Sequence, residues 1–330
     1  MIDKQASKHI FKEPIDVAGL SVHPGEYGLA NISVGTLPSD TTINIKAHIF
    51  RSKNPGPCLL MLGGVHGDEI NGVEIVRRAI EEDVFSTLDR GSIIAIPLLN
   101  VFGFINFSRE VPDGKDINRS FPGFMRGSLA SRVAHTLTTK ILPYVDYAID
   151  YHTGGSFRFN YPQIRYSKSD PRAEKLAKVF RAKYIIQKPL IPKSFRKTAL
   201  DLNTPTIVFE GGENIRLNGQ SIEVGLLGMK RVLAYLEMRS EVLFDTQLKP
   251  LLVTKTTWLR APYSGIFIWS KSSGAFVKKG EPLGMIKDAY GSKSITISAT
   301  RDGHIIGHSN ASVVNEGDAL FHIGYNITEL

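Results

Sequence analysis

The stretch Leu59-Leu-Met-Leu-Gly-Gly-Val-His-Gly-Asp-Glu-Ile-Asn-Gly-Val-Glu-Ile-Val-Arg-Arg-Ala-Ile80 decides the fold. Its first six residues are an apolar run ending in two glycines, which predicts a buried strand over 59–64 that closes in a tight turn. From Glu69 the periodicity becomes helical, with Val73, Val76 and Ile80 on one face. A strand that feeds a helix through a Gly-rich turn is the repeating unit of α/β domains with largely parallel sheets. Further strands are predicted over 92–99, 145–151 and 206–210. Ser128 is a predicted N-cap for a helix with the stripe Leu129, Val133, Leu137 and Ile141. Asp170-Pro171 opens another through about Tyr184, and Ile222, Leu226, Met229, Leu233 and Leu236 mark the longest.

After about Pro250 the texture changes to short β-type runs punctuated by glycine. The chain therefore divides, on this reading, into residues 1–250 and an all-β unit over 251–330. The second unit carries an internal repeat: Ala275–Ile286 resembles Ser312–Ile323, and Arg260–Gly265 resembles Ser298–Gly303. Two halves that cannot bury their own faces are expected to close on each other. The repeated Val-x-x-Gly-(Glu/Asp)-x-Leu-x-x-Ile resembles the biotinyl/lipoyl barrel-sandwich. Lys293 lies near the place where such modules are modified, but the Met-Lys-Met context is missing, so a structural or wall role is expected.

The 330 residues are 42% hydrophobic and 22% charged, and a mean hydropathy of −0.07 accompanies apolar runs well short of a bilayer span of ~18–20 residues. Met1–Ile10 has no apolar core of a secretory signal. A soluble, cytoplasmic protein is expected, without membrane partners. The one cysteine, Cys58, excludes an internal disulfide framework and reads as a core residue. A net charge of +8 comes from one stretch: residues 156–197 hold twelve Lys/Arg against Asp170 and Glu174. That run lacks a nucleic-acid-binding motif, so no nucleic-acid partner is expected.

In open α/β sheets the ligand lies beyond the carboxyl ends of the strands. The residues there are His66 and Glu69 after the first strand, Asn100 after the second, His152 after the third and Glu210 after the last. His66-Gly-Asp-Glu69 spaces a histidine and a carboxylate one helical turn apart, and His152 supplies a third group. Two His and one Glu, with a position left for water, is the open coordination of catalytic zinc. Asp68 is a candidate to orient that site.

Together with these, Asp116-Ile-Asn-Arg-Ser-Phe-Pro-Gly123, Asp150-Tyr-His-Thr-Gly154 and Glu210-Gly-Gly212 resemble the succinylglutamate desuccinylase/aspartoacylase family, a branch of the zinc carboxypeptidases. The resemblance runs from about Leu59 to Gly324. It implies a zinc-carboxypeptidase-like, mostly parallel sheet flanked by helices. It also implies one Zn2+ per chain on His66, Glu69 and His152, and Glu210 as general base for a metal-activated water. Asn118 and Arg119 would bind the substrate carboxylate, and Arg109 would polarise the scissile carbonyl. These roles suit the chemistry: a guanidinium fork matches a carboxylate, and a metal plus an Arg can hold charge developing on an amide oxygen. Glu213 is the competing base.

The implied activity is hydrolysis of an N-acyl amino acid. Between His152 and Glu210 no family motif aligns. Arg158 and Arg165, with aromatic neighbours, are the candidates there for a second anion site, which favours an anionic acyl group. Two alternatives stay open, a metallocarboxypeptidase acting on short acidic peptides and a non-catalytic ligand-binding homologue. Self-association into a homo-oligomer is compatible with the sequence. His48 and His135 read as isolated polar residues, and His304, His308 and His322 as structural or exposed parts of the β unit.

Overall fold

Alternate residues of the strand at Cys58–Leu62 enter different cores: Leu60 and Leu62 join one apolar cluster, Leu59 and Met61 the other. A strand buried on both faces must lie inside a sheet covered on both sides, which is why its sequence is a continuous apolar run. The structure is a computed structural model that describes residues 8–240 and 249–330. The amino-terminal stretch up to residue 7, read above for its lack of a signal, lies outside the described residues.

A small hairpin, β1 (Ile15–Val17) and β2 (Leu20–Val22), precedes the long strands β3 (Tyr27–Thr36) and β4 (Thr42–Arg51). The α/β part continues with β5 (Cys58–Leu62), α1 (Ile70–Glu81), β6 (Ser92–Ile96), α2 (Val101–Asn106) and α3 (Leu129–Lys140). It ends with β7 (Tyr147–Gly154), β8 (Arg158–Tyr166), α4 (Pro171–Phe180), β9 (Tyr184–Gln187), α5 (Phe195–Asp201), β10 (Thr206–Glu213) and α6 (Gly219–Tyr235). Strands β6, β5, β7 and β10 are adjacent and parallel, so their carboxyl ends share one edge. β8 inserts antiparallel beside β10.

Two expectations need correction. Helix α1 buries Ile75, Val76 and Ala79, whereas Val73 and Ile80 are half-buried. Gly72 lies directly against β7, where a Cβ would stand 2.6 Å from the Tyr151 carbonyl oxygen. The helix begun at Asp170 stops at Phe180, not Tyr184. Arg181 caps it in the left-handed conformation, and the buried run Tyr184-Ile-Ile becomes β9. Strands β3, β4 and β8 and the short helices α2 and α5 had no sequence prediction. Cys58 is buried as expected, and burial, with Asp146 nearby, pushes its thiol pKa up.

The carboxyl-terminal residues are all β: β11 (Leu251–Arg260), β12 (Gly265–Trp269), β13 (Phe276–Val277), β14 (Pro282–Lys287), β15 (Ser294–Ser298), β16 (Gly303–Ser309), β17 (Val313–Val314) and β18 (Ala319–Glu329). The repeat is visible in the pairing, since β12 pairs with β14 and β17 as β16 pairs with β18 and β13. Its matching positions Val277 and Val314, Leu283 and Leu320, Ile286 and Ile323 share one core. This region is not detached. β11 runs parallel to β9 and β16 pairs with β8, so a 12-stranded sheet continues from the α/β part into the carboxyl-terminal strands. Among the described residues no helix is long and apolar enough to cross a membrane.

Candidate active site

His66 and Glu69 sit on the turn between β5 and α1, and this turn can form only around glycine. Gly64 has a φ of +61°, and a Cβ on Gly67 would stand 2.0 Å from the Gly103 carbonyl carbon. Two backbones therefore touch here, which leaves no room for a side chain at Gly67. His152 comes from the end of β7, one strand away. Its Nδ1 lies 2.8 Å from Glu69 Oε2 and 3.2 Å from His66 Nδ1, while His66 Nδ1 lies 2.8 Å from Glu69 Oε1. All three residues are buried, and one ligand atom from each lies within 4.8 Å of the others.

The outward ring nitrogens are held by carboxylates. His66 Nε2 lies 3.1 Å from Asp116 Oδ1, and His152 Nε2 lies 2.9 Å from Asp150 Oδ2. Burial opposes charge on both imidazoles, but Glu69 and Asp116 around His66, and Asp150 and Glu69 around His152, outweigh it and raise both pKa values. Burial likewise works against the Glu69 charge, and the two imidazoles reverse it, holding its carboxyl well below the usual range. Two imidazole nitrogens facing each other across a carboxylate, each ring oriented from behind by another carboxylate, fit the donor set and support of a divalent metal site.

Asp116 does more than face His66. Its other oxygen accepts from Arg109 Nε at 3.1 Å and Nη2 at 2.9 Å, and Oδ1 also accepts from the Asn118 backbone N–H at 2.7 Å. Arg109 Nη1 in turn donates to Glu69 Oε1 at 3.1 Å. One carboxylate thus ties His66, Arg109 and the Asn118-Arg119 turn together. Asn118 Oδ1 accepts from the Phe195 N–H at the start of α5. Arg119 has no carboxylate partner among the described residues and lines the cavity. Asn100 is structural: it caps α2 and donates to the Arg109 carbonyl.

The cavity in front of this cluster has a volume of about 360 Å³, and all nine sequence-predicted site residues, Arg158, Arg165 and Glu210 included, line it. Arg165 donates to Glu210 Oε1 at 2.6 Å and Asn160 to Oε2 at 2.8 Å. Arg158 packs over Trp258 of β11, 5.7 Å from its ring, so its aromatic partner comes from the carboxyl-terminal strands rather than its own stretch. Glu213 points elsewhere, to Asn310 and Arg216. Asp68 does not reach the cluster; it accepts from Asn214 Nδ2 at 2.9 Å.

Asp116, Asp150, Arg196 and Trp258 were not placed at the site by the sequence reading. For the two aspartates a signal existed. In Asp150-Tyr-His152 a period of two puts both side chains on one face of a strand, and Asp116 opens the Asp-x-Asn-Arg motif. Arg196 lay unmarked in the basic run, and Trp258 lies beyond the expected domain boundary. His322 stacks on Trp258 with centroids 4.3 Å apart and is buried. The basic stretch splits: Arg158, Arg165 and Arg196 face the cavity, while Lys178 pairs with Glu174 on the exposed face of α4.

Residues 55–236 match the family model described as succinylglutamate desuccinylase/aspartoacylase catalytic domain, which is more than half of the chain. The chain belongs to this family. A curated relative is N-alpha-acetyl-L-2,4-diaminobutyric acid deacetylase of Halomonas elongata, 26% identical over 285 residues that make up 81% of this chain and 82% of the relative. The fold is shared with a succinylglutamate desuccinylase/aspartoacylase of Rhodobacter sphaeroides, at a TM-score of 0.81 and 24% identity over 92% of this chain and 96% of that one. It is also shared with the product-bound ectoine utilization protein EutE (DoeB) of Ruegeria pomeroyi, at 0.80 and 21% over 91% and 95%.

Proposed function

We propose that the protein is a zinc-dependent deacylase that hydrolyses the amide bond of an N-acyl amino acid bearing a further anionic group. The observation that carries this reading is that one cavity joins the His66, Glu69 and His152 donors, Glu210, and five arginines: Arg109, Arg119, Arg158, Arg165 and Arg196. His66, Glu69 and His152 would hold one zinc ion per chain. Bound there, zinc supplies a Lewis acid and lowers the pKa of a water to about 7.

The residues of the chain supply the rest. Glu210 is the general base: it takes a proton from the attacking water and delivers it to the leaving nitrogen. Arg119 and the Asn118 amide hold the α-carboxylate, and Asp116 fixes that turn relative to His66. Arg109, held on one side by Asp116, turns Nη1 toward the cluster, where it meets charge developing on the amide oxygen. Residues 251–330 act as a β unit that closes the cavity through Trp258. A volume of about 360 Å³ lies at the small end of the ~300–1,000 Å³ of ligand sites, which favours a small acyl amino acid over a peptide.

The test is Glu210→Gln, assayed on a panel of N-acyl amino acids and dipeptides with and without zinc. Metal content and fold are expected to persist while turnover falls by roughly 10²–10⁴-fold. Retained turnover would remove Glu210 from the reaction. Dipeptides cleaved faster than every N-acyl amino acid would move the protein to the carboxypeptidases.

A further inference from the structure

Glu210 has both oxygens engaged. Arg165 holds Oε1 at 2.6 Å and Asn160 holds Oε2 at 2.8 Å, because β8 runs antiparallel to β10 with Arg165 opposite Val208 and Gln163 opposite Glu210. Arg165 and Glu210 are therefore diagonal neighbours on one face of the sheet. Each oxygen keeps a second lone pair for a water, but with Arg165 on Oε1 the guanidinium offsets the negative charge that would draw the water's proton.

Arg165 belongs to a cluster of cations. Lys188 and Arg196 stand near it, and burial together with Arg165 lowers the Lys188 pKa to about 8 and the Arg196 pKa to about 10. The carboxylates that act on these cations are Glu210 and, for Arg196, Asp150, whose Oδ2 faces His152 while its buried Oδ1 makes no hydrogen bond among the described residues. Two buried donors in this cluster, Arg165 Nε and Arg196 Nη1, have no hydrogen-bond partner among the described residues. Arg196 is only 9% exposed, yet both residues line the cavity. Buried donors without partners call for an acceptor.

We propose that Arg165 couples substrate selection to the base: the second anionic group of the substrate docks on Arg165 and Arg196, draws the Arg165 guanidinium off Glu210, and so frees the carboxylate for proton transfer. This rests on the reading of Glu210 as the base and adds to it. The second charge then acts on kcat as well as on binding, and Arg165 is a positioning residue that doubles as a specificity determinant. A substrate with only its α-carboxylate occupies Arg119 and leaves Glu210 paired.

The experiment compares N-acetylalanine, N-succinylalanine and N-acetylaspartate with the zinc-loaded enzyme. At least one of the two dianionic substrates is expected to show a kcat ten or more times that of N-acetylalanine. Millimolar acetate, which can fill the vacant anion position, should raise kcat for N-acetylalanine several-fold. Arg165→Met should raise kcat for N-acetylalanine, abolish the acetate effect, and increase KM for the preferred dianionic substrate at least tenfold. Arg165→Lys should restore part of the preference. As a readout independent of turnover, calorimetry with metal-free protein should show succinate binding weakened by Arg165→Met.

Equal kcat values for all three substrates, no activation by acetate, or an Arg165→Met variant whose kcat falls in the same proportion on every substrate would overturn the coupling. The acetate arm needs no variant, so it decides the matter even if Arg165→Met does not fold. Glu210→Gln run in parallel separates the two readings. If it is inactive while the Arg165 arms fail, only the coupling is lost; if it is active, the base assignment itself falls.

Discussion

Asp150→Asn isolates the support of the proposed metal site from its ligands. Asp150 is 1% exposed, and its Oδ2 lies 2.9 Å from Nε2 of His152, whose side chain is 6% exposed. The contact is therefore a desolvated, carboxylate-assisted hydrogen bond, of a kind that contributes about 1.5–3 kcal/mol, against about 0.5–1.5 for a neutral pair. Asparagine is isosteric and can still accept from Nε2–H, so the expected loss is about 1–1.5 kcal/mol, or roughly five- to tenfold in zinc affinity. If the new amide instead presents its N–H, the imidazole proton moves to Nδ1, the atom that faces His66 and Glu69, and the loss is greater. Asp150→Leu accepts nothing and should approach the upper end of the roughly 10–100-fold typical of such partners. Zinc competition against a chromophoric chelator, on metal-free protein whose melting temperature matches wild type, measures both variants. An affinity within twofold of wild type for Asp150→Leu would refute the reasoning.

Two further predictions test other parts of the molecule. Arg119→Ala should raise KM by roughly 10–100-fold with a smaller change in kcat, and Arg119→Lys should recover little, because an ammonium cannot reproduce a bidentate carboxylate contact; steady-state kinetics on the best substrate checks both. His308 is buried between Trp269 and Phe159, Ser273 Oγ donates to its Nδ1, and burial lowers its pKa to about 4. The unfolded chain then binds the proton first as pH falls below about 6.5, so stability is lost between about 6.5 and 4 with a slope of up to about 1.4 kcal/mol per unit. Urea unfolding at pH 7 and 5 should show a smaller pH-dependent loss for His308→Gln than for wild type.

The pattern of apolar runs and glycines determined much of this protein. Strands β5, β6, β7 and β10 are local features, and parallel strands joined by helices must bring their carboxyl ends to one edge. His66, Glu69, His152 and Glu210 could therefore be placed together from the sequence, because each lies beyond or towards the carboxyl end of such a strand. The repeat in the last eighty residues was legible for the same reason, as equivalent valines, leucines and isoleucines occupy equivalent core positions. What a side chain does on arrival was not legible. Asp68 and Asp150 are each one or two residues from a metal-site candidate, yet only Asp150 shares a strand face with its histidine, while the turn sends Asp68 to Asn214. The fate of the basic stretch likewise depended on β8 running antiparallel beside β10, which sets Arg165 on Glu210, and on β11 docking beside β9, which brings Trp258 to Arg158. Those pairings join residues far apart in the chain. Local periodicity carries no information about them, and only the closed sheet decides which charges meet.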